Sequence, residues 1–306
     1  MIYTNHEQLA DHVRSTGKPP LSVGVIAAHD PHALEAVLEA ARRNIVRPVL
    51  FGDASAVADG LRALGEQPDA FEIVHADSPE EAARLAGIAA HEKRVHFLMK
   101  GGISTGKMLR ALFSGETHFR TGNLISHMAL VQTPDYPKLF AVTDTTITVY
   151  PTLEQKAQLI RSSVDTLLKM GFDTPKVAAL AASEDIDPKI AESVEADELK
   201  RMNQSGAIKN CIVEGPLSLD LAMSRASAEI KKCDSEVAGN ADLLLVPNLA
   251  AGNILIKSLR VFGRGRIAGL VIGGRVPVAL SSRAAAADDK YLPLVLAASA
   301  TDQERD

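Results

Sequence analysis

VHFLMKGGISTGKMLRALFS, residues 95–114, decides what kind of fold this chain adopts. VHFLMK (95–100) is a β-forming run that stops at Gly101 and Gly102, and TGKMLRALFS (105–114) then takes up helical spacing. Strand, glycine turn and helix in that order are the building step of α/β proteins. The turn also matches most of a nucleotide-binding loop, G-x-x-x-x-G-K, from Gly101 to Lys107. That loop needs a hydroxyl next, to help hold Mg²⁺, and Met108 offers only a thioether. KLFAVTD, ending at Asp144, has the form of a Walker B strand, but without the hydroxyl NTP hydrolysis is not expected. Two readings stay open from the residues: a plain strand-to-helix turn, or a helix N-terminus whose amides bind another phosphate.

The same alternation continues on both sides. LSVGVIAA (21–28), PVLFG (48–52) and FEIVHA (71–76) read as strands, with helices at 32–43 and 79–93. Residues 123–151 hold β-like runs without a helix, which predicts an antiparallel or crossing segment and a domain boundary near its start. Alternation resumes with helices at 153–170, 188–203, 218–232 and 251–262. The strands between and after them fall at 176–182, 211–215, 241–247, 267–273 and 277–281, and a last helix follows. The expectation is two α/β domains separated by a cleft, where such proteins bind ligands at strand C-termini.

Composition narrows the function. The chain has 306 residues, 46% hydrophobic, with net charge -5, 4% aromatics and no Trp. A substantial core follows, and a nucleic-acid partner does not. Residues 1–20 carry no apolar leader region and no apolar run is long enough to span a bilayer, so a cytoplasmic protein without membrane contact is expected. Cys211 and Cys233 form neither a disulfide framework nor a zinc set, fit a reducing compartment and read as structural. His127 reads as a packed, hydrogen-bonded histidine.

GRGRIA (263–268) imitates a dinucleotide fingerprint, but it follows a helix and precedes a strand, the reverse of what the fingerprint requires. Gly263 is a helix stop. In VALSSRAAAADDKYL (278–292), Ser282 and Arg283 follow a strand, and Asp288 and Asp289 come six and seven residues past Ser282. From these residues alone, a helix start with an N-cap serine and early acids fits as well as a site does.

Five stretches, in this order and spacing, resemble the phosphate acyltransferases, phosphotransacetylase and phosphotransbutyrylase. They are FLMKGGISTGKMLRA (97–111), RTGNLISHMAL (120–130), EGPLSLDLAMS (214–224), ADLLLVPNLAAGNILIKSL (241–259) and PVALSSRA (277–284), and LMKG, RTG and SHMA are closest to the butyryl branch. The resemblance implies an architecture like isocitrate and isopropylmalate dehydrogenases. Residues 1–125 plus 269–306 would form an outer domain completed by the C-terminal segment, and residues 126–268 a middle domain that makes a homodimer.

It also implies a reaction: acyl-CoA plus inorganic phosphate gives acyl phosphate plus CoA, reversibly, with no metal or tightly bound cofactor. Ser282, Arg283 and Asp289 match the family's catalytic positions, Asp288 being one place from the last. Arg110 matches a phosphate-binding arginine, and Asn253 belongs to a Gly-Asn pair. Ser104 and Thr105 would add hydroxyl donors to the phosphate site, and Lys100 positive charge toward the CoA phosphates. Two alternatives remain: a non-catalytic CoA or acyl-phosphate binding module, and a metal- and NAD(P)-dependent dehydrogenase of the related fold.

Overall fold

The computed structural model describes residues 2–15, 19–280 and 290–301. In chain order its first elements are α1 (His6–Ser15), β1 (Leu21–Ile26), α2 (Pro31–Arg42), β2 (Val46–Gly52), α3 (Ala54–Ala63), β3 (Glu72–His75), α4 (Pro79–His91), β4 (Phe97–Lys100) and α5 (Thr105–Leu112). Next come β5 (Ser126–Gln132), β6 (Phe140–Thr143), α6 (Leu153–Lys169), β7 (Lys176–Leu180), α7 (Ala191–Gln204), β8 (Ile212–Leu217), α8 (Leu219–Met223), α9 (Arg225–Ile230), β9 (Leu243–Leu245) and α10 (Leu249–Val261). The chain closes with β10 (Arg266–Ile272), β11 (Val278–Leu280) and α11 (Leu292–Ser299).

The chain divides into an outer unit, Glu7–Asn123 with Ala268–Asp306, and a middle unit, Met1–His6 with Leu124–Ile267. The opening residues therefore group with the middle unit, not with the outer domain expected from the sequence. The reason is local. The Leu139 amide donates to Tyr3 O at 2.7 Å, the Tyr3 hydroxyl donates to Met170 O at 2.7 Å, and the Tyr3 ring packs on Phe172.

In the outer unit the strand order is β3-β2-β1-β4-β11-β10. The β3-β2-β1-β4-β11 pairings are parallel, and β10 runs antiparallel to β11. A central parallel strand is covered on both faces and so reads as continuously apolar. β1, LSVGVI, is buried along nearly its whole length. Helix starts are written in the sequence: Asp30, Asp53 and Ser78 each accept a backbone N–H at the first turn, and Pro31 and Pro79 follow directly. Each such cap stabilises its helix by about 1 kcal/mol. α11 is apolar all round and buried at every residue, as a helix inside a core must be.

In the middle unit the order is β5-β6-β9-β7-β8. β5 and β6 are antiparallel, as expected for the helix-free stretch, and β6, β9, β7 and β8 are parallel neighbours. The helix expected over 218–232 is instead two. Ser224 adopts an extended conformation and caps α9, while the Leu221 carbonyl that would continue α8 is taken by the Gly239 amide at 2.7 Å. GRGRIA does sit between a helix and a strand, since α10 ends at Val261 and β10 starts at Arg266.

Candidate functional site

β1 leads to β2 and β3 on one side, while β4 lies on its other side, so the chain reverses its direction of winding between β1 and β4. Ligands of open α/β sheets bind at the carboxyl ends of the strands flanking such a point. Here those ends are residues 27–30 after β1 and residues 101–104 after β4. β11 ends beside them, with Leu280 in register with Lys100.

The two exits are packed against each other through glycine. A Cβ at 101 would stand 2.4 Å from Ile26 O and 2.6 Å from Ala27 O. Instead, the amides of Gly101 and Gly102 donate to those same carbonyls, each at 2.9 Å, and the Ile103 amide donates to Gly101 O at 2.9 Å. Lys100 Nζ turns back onto Gly101 O and Ile103 O, at 3.2 and 2.9 Å. The loop's amides thus hold the loop, and they are not the cradle that a nucleotide-binding loop presents.

The donors that remain belong to the start of α5. Ser104 is its N-cap, its Oγ accepting from the Lys107 amide at 3.4 Å. Among the described residues, the amides of Thr105 and Gly106 have no partner. Met108 and Leu109 point into the core, and Met108 is fully buried. Arg110 is exposed and has no ion pair among the described residues. Lys107 is committed to Glu80 at 2.9 Å, and that bond holds the Glu80 carboxyl below the usual carboxylate range. Ser104, Thr105, Lys100 and Arg110 are therefore neighbours along one strand exit and one helix. His29, which no spacing pattern picks out, arrives at the same loop from β1: its Nε2 lies 2.9 Å from where a Cβ at 102 would be.

The middle unit holds Asn253, near the start of α10, where its Nδ2 donates to Thr145 O at 3.3 Å. Gly252 makes this approach possible, because a Cβ there would meet Asp144 O at 2.6 Å. The Asp144 carboxylate is spent on its own turn. It accepts from the amides of Thr146, Ile147, Thr148 and His127 and from the Thr148 hydroxyl. The Walker B resemblance is thus a buried turn cap, in the other unit from the glycine loop. His127 is buried, with Nδ1 2.7 Å from Thr145 Oγ1. Burial pushes its pKa down to about 4, against the opposing pull of the Asp144 charge.

Ser282, Arg283, Asp288 and Asp289 lie outside the described residues. Both cysteines are unpaired, and burial raises the Cys211 thiol to about 11, which keeps it a thiol at neutral pH. Among the described residues no group of three or more His, Cys, Asp or Glu side chains is placed to hold a metal ion.

Residues 79–298 match the family model described as phosphate acetyl/butaryl transferase. A Bacillus subtilis protein named probable phosphate butyryltransferase is 39% identical over 92% of this chain and 94% of its own length. A Thermotoga maritima phosphate acetyltransferase is 38% identical over 95% of this chain and 98% of its own. Among solved structures, a branched-chain phosphotransacylase from Enterococcus faecalis superposes with a TM-score of 0.80 at 28% identity, covering 92% of this chain and 98% of that one. A Burkholderia phymatum 4-hydroxythreonine-4-phosphate dehydrogenase shares the fold alone, at TM-score 0.58 and 15% identity over 94% of this chain and 100% of that one.

Proposed function

The chain belongs to the phosphate acetyl/butyryl transferase family, and from that premise we propose that it moves a short acyl group, butyryl or acetyl, between CoA and inorganic phosphate. The observation that carries this reading is the match itself, running through both units at up to 39% identity over nearly the whole chain. The unspent donors at the β1/β4 switch point agree with a phosphate substrate.

In the acyl-phosphate-consuming direction the CoA thiol attacks the acyl carbon and phosphate leaves. A simple thiol has a pKa of about 8.5 and must lose its proton to attack. Asp289 is the proposed acceptor, with Asp288 its one-residue neighbour as the second candidate. Negative charge builds on the carbonyl oxygen, and the Ser282 hydroxyl donates to it; one such donor lowers the barrier by roughly 3 kcal/mol. The leaving phosphate needs paired donors. Arg283 and Arg110 supply guanidinium forks, and the Thr105 and Gly106 amides and the Ser104 and Thr105 hydroxyls complete the set. Lys100 adds charge while propping the loop, and Asn253 is a further substrate-binding candidate by its Gly-Asn pair alone. Attack is direct, in a ternary complex, with CoA as a substrate and no tightly bound cofactor.

We also place the enzyme in the cytoplasm as a homodimer. Unpaired cysteines fit a reducing compartment, and no helix among the described residues is long and apolar enough to cross a membrane. Dimerisation through the middle unit is supported by α10. Only Gly252 of this apolar helix is buried, and Ile254, Val261 and, just past its end, Phe262 are 66, 70 and 83% exposed. An adjoining groove of about 330 Å³ is lined mainly by apolar side chains, Tyr136, Phe140, Leu219, Met223, Leu255 and Leu259 among them, with Asp135 and Asp220 also in its lining.

The test is thiol release from butyryl-CoA, acetyl-CoA and propionyl-CoA with and without phosphate. Release that requires phosphate supports the transferase. Release without it would mean a thioesterase. Binding of CoA without release would favour a non-catalytic module.

A further inference from the structure

His127 is held on three sides and open on the fourth. Its amide donates to Asp144 Oδ2 at 3.2 Å, its carbonyl accepts from the Thr143 hydroxyl at 3.3 Å, and its ring Nδ1 lies 2.7 Å from Thr145 Oγ1. That length suits a bond given by a hydroxyl better than one given by a ring N–H, so Thr145 donates and Nε2 carries the proton of the neutral ring. Among the described residues Nε2 has no partner. His127 is 7% exposed, and Nε2 is not among the described side-chain atoms that are both buried and unpaired, which are all serine hydroxyls. The nitrogen left over therefore reaches the surface.

Its position is that of a ligand contact. β5 runs antiparallel to β6, and Met128 pairs with Thr143, which pairs with Leu245. The start of β5 thus lies where the parallel strands β6 and β9 end, the edge at which α/β sheets take ligands. His127 shares its face of β5 with Ala129 and Val131, which pack with Leu255 and Leu259 of α10. The start of α10 adds a second group through the same residue: Asn253 Nδ2 donates to Thr145 O at 3.3 Å. A carbonyl can only accept, so the amide nitrogen faces inward and Oδ1 is left without a partner among the described residues. Thr145 is thus flanked by one fixed neutral donor and one fixed neutral acceptor, all within the middle unit. Burial keeps the ring uncharged at neutral pH, and an anion here would meet the Asp144 carboxylate. The pair suits a neutral group that both accepts and donates, which is a secondary amide.

We infer that His127 and Asn253 bind an amide of the pantetheine arm of CoA, His127 Nε2–H donating to its carbonyl and Asn253 Oδ1 accepting its N–H. This rests on the transferase reading above and names the part of CoA that the middle unit recognises. No covalent bond forms or breaks.

The experiment compares wild type with His127→Asn, His127→Gln and Asn253→Ala. Asparagine can keep the inner bond to Thr145 but offers nothing where Nε2 stood, whereas glutamine reaches that place. Thiol release is measured with butyryl-CoA and phosphate varied in turn, and calorimetry with CoA alone runs alongside. His127→Asn and Asn253→Ala are each expected to raise the butyryl-CoA KM about tenfold, with kcat within about twofold and the phosphate KM unchanged. His127→Gln is expected to recover most of the loss. S-Butyryl pantetheine, as substrate or as competitor, should lose as much as butyryl-CoA does, because it keeps the amides and lacks the nucleotide. A loss confined to butyryl-CoA would put the contact on the nucleotide, and a fall in kcat in place of a rise in KM would put it on the reacting carbonyl; either overturns the inference. So does an unchanged butyryl-CoA KM, with the transferase left intact. If His127→Asn does not fold, Asn253→Ala decides by the same readings. If wild type binds CoA but releases no thiol, the transferase reading falls instead, and CoA affinity decides: about tenfold weaker binding in the variants supports the contact and equal binding overturns it. Wild type that neither turns over nor binds CoA overturns both.

Discussion

Arg110 follows Gly106 by one helical turn on the exposed face of α5, and apart from the adjoining residues and the helix's own backbone no atom comes within 4 Å of where a Cβ at 106 would stand. Long helical side chains lean toward the helix N-terminus. The empty place at 106 therefore leaves the guanidinium an open way to the unpartnered Thr105 and Gly106 amides.

Arg110→Ala removes a charged donor from that end. The expected loss in kcat/KM is about 10- to 100-fold, expressed mainly in the phosphate KM. Arg110→Lys should recover little, because a point charge does not reproduce a planar fork. Wild-type kinetics in Arg110→Ala would mean a merely solvated surface arginine.

Two glycines of the same loop should respond oppositely to alanine. At Gly106 there is free space and no left-handed backbone, so Gly106→Ala should stabilise by about 0.4–1 kcal/mol. At Gly101 the new methyl meets two backbone carbonyls of the β1 exit, so Gly101→Ala should cost about 3 kcal/mol. Urea denaturation of the two variants checks both signs.

His127 makes the protein acid-sensitive. Its folded pKa, about 4, lies below the ordinary 6.5 because burial disfavours the charged ring. Below pH 6.5 the unfolded chain takes up a proton that the folded chain refuses. The stabilisation is thus complete above pH 6.5 and is lost as pH falls toward 4, by an amount on the order of 3 kcal/mol. His127→Gln should flatten the stability-pH curve in that window. An unchanged slope would show that other groups set it.

The alternation of strands and helices was legible because the central parallel strands, β1, β4 and β9, are buried almost throughout and the helices carry their caps in sequence. Ser78 with Pro79 and Thr152 with Gln155 are examples. Less legible were features fixed by distant partners. The break at Ser224 depends on Gly239 taking the Leu221 carbonyl, and the placement of the N-terminus depends on Tyr3 meeting Met170. The glycine loop shows the same limit. Its composition suggested free amides, but those of Gly101 and Gly102 are bonded to Ile26 and Ala27, 75 residues earlier. That Ser104, Thr105 and Arg110 follow one strand exit into one helix was legible from the strand-glycine-helix order. That His29 meets the same loop was not, since only the turn at Ala27 carries it to Gly102.

The bare α10 face gives a further expectation. Ile254→Asp with Phe262→Asp places charge on the exposed apolar surface through which we propose that two copies meet. Sedimentation should then show a monomer where wild type sediments as a dimer. A monomeric wild type would remove the dimer from the account.

The most direct test is free thiol released from butyryl-CoA, with and without inorganic phosphate, in wild type and in Arg283→Ala. Release that strictly needs phosphate and collapses in the variant is the predicted result. Release that ignores phosphate, or no release from any short acyl-CoA, would contradict the assignment.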